Sequence, residues 1–136
     1  MATKLLNENQ PYKNHYHFIA STKYRKNAFM EEHMRKRLKE IIEYVVFTME
    51  DTTLIETTVA FNHIHVLLQS SLPVAKISQR LYGTTARLMR KEFPELLELS
   101  KDSLWGGKSC EPVKDENHLN NCISYIRRHR PDNTKV

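Results

Sequence analysis

Apolar residues recur along this chain in two rhythms. Met30, Met34, Leu38, Ile41, Ile42, Val45 and Met49 fall at steps of three and four, with Arg35, Lys36, Lys39 and Glu43 between them. That spacing predicts a long amphipathic helix, with Asn27 as its cap. A second helix is predicted over residues 74–93, opened by Pro73 and stopped by Pro94, with Val74, Ile77, Leu81 and Leu88 on its apolar side. A third runs from a cap at Asp115 to Arg130, where Pro131 ends it, and carries Leu119, Cys122, Ile123 and Ile126 on one stripe. The second rhythm is shorter. Residues 15–22, 53–61 and 63–69 are dense in aromatic and β-branched side chains, which suit an extended backbone. A basic turn, Lys23-Tyr24-Arg25-Lys26, follows the first strand, and a short turn near Asn62 joins the other two as an antiparallel pair. Trp105 followed by Gly106 and Gly107 predicts a turn and then a short edge strand within 103–113. The order strand, helix, strand, strand, helix, strand, helix is that of an α+β, ferredoxin-like (split βαβ) domain. Its antiparallel sheet carries helices on one face and leaves the other free for a ligand.

A chain of 136 residues is one folding unit, so residues 1–136 are expected to form a single domain with flexible tails at 1–13 and 131–136. No apolar run is long enough for a membrane span, and residues 1–13 have neither the core of a signal peptide nor the pattern of a transit segment. The expected setting is the cytoplasm. Cys110 and Cys122 match neither a disulfide framework nor a zinc knuckle. The net charge of +5 favours polyanionic partners.

Three groups of residues bear on chemistry. His63 and His65 alternate with Ile64 and Val66, so a strand turns both imidazoles to one side; they are either a pair of metal ligands or part of a solvated sheet face. Along the last helix, His118, Tyr125 and His129 form a band beside the apolar stripe, and the i, i+4 pair Tyr125 and His129 would present a hydroxyl and an imidazole to one point. A tyrosine in that position also serves as a half-buried packing residue. On the second helix, Lys76, Arg80, Arg87 and Lys91 share a face that either tracks a phosphate backbone or is simply solvated.

The segments NHIHVLL at 62–68, TTARLMRKEFPEL at 84–96, Leu104-Trp105 and YIRRH at 125–129, with the opening HYHFIASTKYRKNAF, resemble the single-tyrosine HUH transposases of the smallest bacterial insertion sequences, including repeat-associated relatives. The resemblance implies metal-dependent cleavage and rejoining of single-stranded DNA at hairpin-bearing ends. It also implies a homodimer in which the tyrosine helix of one subunit completes the site of the other. By position, Tyr125 is the nucleophile and His63, His65 and His129 hold a divalent ion, Mg²⁺ or Mn²⁺. The family usually has glutamine where His129 stands, and imidazole in place of an amide oxygen shifts preference toward a transition metal. Phe61 replaces a common proline, and 108–113 lacks the family's usual Ser-Tyr-aromatic strand. Three other readings share the same residues: a domesticated relative, a non-catalytic nucleic-acid-binding module on this fold, and a hydrolase that activates water.

Overall fold

The computed structural model of the chain describes residues 11–133. Its elements are β1 (His15–Thr22), α1 (Glu32–Thr48), β2 (Thr52–Val59), β3 (His63–Ser70), α2 (Val74–Glu92), the single turn α3 (Leu96–Leu99), β4 (Trp105–Pro112) and α4 (Glu116–Arg127). The strands form one antiparallel sheet in the order β2-β3-β1-β4, the ferredoxin-like arrangement predicted from the pattern. Among the described residues no helix is long and apolar enough to cross a membrane.

Alternation along β3 divides the molecule. Ile64, Val66 and Leu68 join Phe18, Leu38, Ile42, Ile77 and Leu81 in the main core, beneath α1 and α2. His63, His65 and Leu67 face the other way. There, Cys122 and Ile126 of α4 pack on Leu67 and Val113 in a second, smaller cluster. Full burial of a large apolar side chain stabilises by about 1.5–3 kcal/mol. The four buried members of the second cluster therefore hold α4 far more lightly than the main core holds α1 and α2. Because α4 packs on β2 and β3, only part of the second face is open, where Ser109 and Gly107 of β4 are exposed beside half-buried Ile19.

Several boundaries differ from the sequence pattern for identifiable reasons. Asn27 caps nothing; α1 starts at Glu32, after Glu31, which makes no side-chain cap. The chain is drawn off helical geometry because Phe29 is fully buried, its ring 5.8 Å from that of Trp105, and its N–H donates to Phe61 O at 2.9 Å. Arg35 then folds back to donate to Phe29 O and Met30 O, and Met30 is left exposed rather than on the apolar helix face. β2 stops at Val59 and its register shifts between Leu54 and Glu56. α3 has no periodicity of its own to predict it. Asp115 caps α4 as predicted, its side chain accepting from His118 N–H, but the helix ends at Arg127 rather than Arg130.

Of the expected flexible tails, residues 1–10 and 134–136 lie outside the described residues. Nearer the core, Tyr12 N–H donates to Val113 O at 2.6 Å and Phe61 N–H to Pro131 O at 2.9 Å. The basic turn closes tightly after β1: Lys23 N–H donates to Leu104 O, and a Cβ on Gly106 would stand 3.0 Å from Lys23 Cα. Only glycine at 106 lets the two backbones approach that closely without a shift.

Candidate metal centre and tyrosine

His63 and His65 leave β3 on the α4 side, with ring centroids 5.1 Å apart. The third imidazole comes from beyond α4. Arg128 ends the helix, His129 lies in the turn that follows, and the bond from Phe61 N–H to Pro131 O anchors that segment over the β2–β3 connection. One nitrogen from each of the three rings lies within 4.8 Å of the others, and all three side chains are buried. Tyr125, half-buried near the end of α4, stands 5.5 Å from the His65 ring and 5.2 Å from the His129 ring by centroids. All four side chains expected at the site therefore meet within a single chain.

Two neighbours orient the strand histidines. Asn62 Oδ1, which only accepts, lies 2.8 Å from His63 Nδ1 and so fixes the proton there, leaving the lone pair on Nε2. His65 Nδ1 lies 2.9 Å from Nε2 of buried His17 on the adjacent strand. With that bond donated by His65, its Nε2 also carries a lone pair. That atom is buried with no hydrogen-bond partner, and so is His129 Nδ1. A buried polar atom left unpaired costs about 1–3 kcal/mol, and lone pairs converging from three imidazoles are the donor set of a transition-metal ion. His63 Nε2 and His129 Nε2 meanwhile share a 2.8 Å hydrogen bond. Ligands on one tetrahedral ion with bonds of about 2.0–2.1 Å stand farther apart than that. With the lone pair on His63 Nε2, His129 Nε2–H donates this bond, so the set fits a metal once the bond opens by a few tenths of an ångström and His129 either moves its proton to Nδ1 or offers Nδ1 itself.

The electrostatics favour the neutral, metal-binding form. Desolvation, then repulsion from His129 and Arg25, pushes His63 down to about 4. Desolvation, then His17, His129 and His63, pushes His65 down to about 3. Desolvation also lowers His129 and, against the pull of Glu111, His17.

Other sequence candidates lie elsewhere. His118 accepts from Lys114 N–H and pairs with Glu111 at 3.3 Å, so it stands outside the triad. Lys76, Arg87 and Lys91 are exposed on α2, and Arg80 donates to Thr48 Oγ1. α2 packs on the sheet face opposite His63 and His65, so this basic stripe does not reach the metal centre. Sequence reasoning missed His17 and Asn62. The signal for His17 was a second His-x-His pair, His15 and His17, in a strand that pairs with β3.

A sequence family described as IS200-like transposases matches residues 10–129. The chain has no match among curated proteins. Among solved structures, a chain assigned as a transposase of Deinococcus radiodurans is 25% identical, with a TM-score of 0.67 over 91% of this chain and 96% of that one. A REP-associated tyrosine transposase bound to a REP hairpin is 14% identical, with a TM-score of 0.59 over 91% of this chain and 70% of its own, and shares the fold. On the family match, which spans nearly the whole chain, this protein belongs to the IS200-like transposase family.

Proposed function

We propose that this transposase cuts and rejoins single-stranded DNA at hairpin-bearing element ends, through a phosphotyrosine on Tyr125 and with a divalent ion, Mg²⁺ or Mn²⁺, at His63, His65 and His129. The observation that carries the reading is the convergence of one phenol and three imidazoles kept neutral by burial. A bound ion would act as a Lewis acid on the scissile phosphate. Tyr125 Oη attacks phosphorus in line: a phenolic O–P bond forms, the bond to the departing 3′ oxygen breaks, the phenol gives up its proton and the 3′ hydroxyl takes one up. The 5′ end stays on the protein, and a 3′ hydroxyl reverses the step to rejoin strands without a nucleotide cofactor. The hairpin is supported by the REP-hairpin complex of the fold neighbour. The protein would work at DNA in the cytoplasm of a prokaryotic cell.

Because the three imidazoles are closed off beneath α4, a phosphate reaches them only when that helix shifts outward, and its small cluster permits this. The working unit is proposed as a homodimer whose subunits each use their own Tyr125, since one chain gathers all four side chains. Mixing Tyr125→Phe chains with His63→Ala chains tests this; recovery of activity in the mixture would place the tyrosine in trans. The chemistry is tested by incubating labelled single-stranded hairpin DNA with the protein and Mg²⁺ or Mn²⁺. A denaturant-resistant adduct lost in Tyr125→Phe is expected. An adduct that survives that change, or a free 5′ phosphate formed without any adduct, overturns the reading.

A further inference from the structure

The turn after β1 takes no part in the chemistry above. Its ring, Tyr24, is 73% exposed. Tyr24 and Arg25 hold left-handed backbone, with φ of 58° and 51°, where a solvent-facing turn would ordinarily place glycine. The ammonium groups of Lys23 and Lys26 stand 5.5 and 5.8 Å from the Tyr24 ring centroid. Cation–π attraction at an exposed ring is weaker than the strain of two left-handed L-residues, so it does not explain the turn. A second such pair, Lys13 and Asn14, makes the contrast: the adjoining ring there, Tyr12, packs against the cluster under α4, whereas Tyr24 faces solvent.

The display is held by contacts on several sides and is joined through Asn62 to the candidate metal centre. Thr22 Oγ1 donates to Lys26 O at 2.6 Å, Lys26 Nζ to Leu99 O at 2.8 Å, and the backbone of Gly106 closes the remaining side. Asn62, which orients His63, donates its Nδ2 to Arg25 O at 3.5 Å. Ser21, two residues before Lys23, pairs with His63 across the sheet. The basic stripe on α2, by contrast, lies on the opposite face.

We propose that the turn Lys23–Arg25, with Lys26, is a binding site for the unpaired nucleotides flanking the scissile phosphate: the Tyr24 ring stacks on a base, and Lys23 and Arg25 meet the adjoining phosphates. This rests on the reading of single-stranded DNA as substrate. Stacking on an aromatic platform tolerates any base, and cations around its rim track the backbone. Strain held by surrounding contacts keeps the ring presented before the ligand arrives.

The test measures affinity by fluorescence anisotropy, with labelled oligo-dT as single strand and a duplex of equal length, in chelator so that no cleavage intervenes. Tyr24→Ala should weaken single-strand binding roughly 5- to 150-fold and leave duplex binding unchanged, while Tyr24→Phe and Tyr24→Trp keep the parent affinity. Arg25→Ala should lower the salt slope by about one. Tyr24→Gly should raise the melting temperature while losing affinity, which separates binding from folding. Single-strand affinity unchanged in Tyr24→Ala overturns the proposal, as does an equal loss in Tyr24→Phe. A chain that binds in this way yet never forms the phosphotyrosine adduct would sink the proposed chemistry and leave this site standing.

Discussion

Replacing His17 with leucine tests how the proposed metal centre is oriented. Leucine has comparable bulk and suits the buried position, but it removes the acceptor that lies 2.9 Å from His65 Nδ1. His65 is then left with two poor options: a buried, unpaired N–H, which costs about 1–3 kcal/mol, or the other tautomer, which spends the lone pair meant for the ion. Loss of such an outer partner typically lowers metal affinity about 10- to 100-fold, which converts to about 1.4–2.7 kcal/mol. The two routes to the magnitude agree. Mn²⁺ affinity, read by calorimetry or electron paramagnetic resonance, should therefore fall by that factor in His17→Leu. It should recover in part in His17→Gln, whose carbonyl oxygen again accepts. The melting temperature of the metal-free protein serves as the control, because a packing defect would lower it in both variants alike. Mn²⁺ bound as tightly by His17→Leu as by the parent chain would rule out His17 as the group that orients His65.

Acid should destabilise the metal-free protein. His63 and His65 have folded values of about 4 and about 3, against about 6.5 in an unfolded chain. The unfolded state therefore binds protons first as pH drops below about 6.5, and stability, complete above that point, falls toward the folded values by on the order of 2 kcal/mol per imidazole at about pH 5. Urea midpoints that stay level across this window would contradict it. Thr85→Val should cost about 1–3 kcal/mol, because Trp105 Nε1–H donates to Thr85 Oγ1 at 3.0 Å in the core and would lose its acceptor; thermal melts measure it, and an unchanged midpoint counts against the bond. Ile126→Ala should cost about 2–5 kcal/mol, felt chiefly by α4 because its cluster is small. Hydrogen exchange should quicken there and stay slow in α1, and uniform quickening would mean that the second cluster is not a separate unit.

Much of the fold was legible because every element but the single turn α3 carries its own period. The α2 boundaries follow from Pro73 and Pro94 around a clean stripe, and Asp115 announces α4 by its chemistry. The errors lie where a tertiary contact outweighs local preference. Phe29 leaves helical register for the core, and the helical extension to Arg130 gives way once Pro131 O is engaged by Phe61 N–H. The triad was legible in parts: strand alternation gave His63 and His65 a common side, and an i, i+4 spacing linked Tyr125 to His129. What joins the halves is not periodic. Whether α4 crosses back over β3 depends on Leu67, Val113, Cys122 and Ile126 finding one another across the chain. The His15/His17 pair hinted at His17, but its role exists only once β1 is registered against β3.

That crossing gives α4 two duties that pull against each other. By covering the imidazoles it keeps them dry and neutral, and this holds their lone pairs ready for an ion at pH values where exposed histidines would be partly protonated. By the same closure it would bar the phosphate of the proposed substrate. A small apolar cluster, the exposed ion pair of Arg127 with Glu56 at 2.8 Å and the His118–Glu111 contact at 3.3 Å reconcile the two. An exposed pair of this kind contributes about 0–1 kcal/mol, and the His63–His129 hydrogen bond that must open for the ion adds about 0.5–1.5 kcal/mol. The cluster is the larger share of what holds α4, and it is separate from the main core. The proposed cleavage needs only the helix that carries Tyr125 to move, with the main core left closed. A larger interface under α4 would trap Tyr125, the proposed nucleophile, against the imidazoles, and a smaller one would let water and protons reach them.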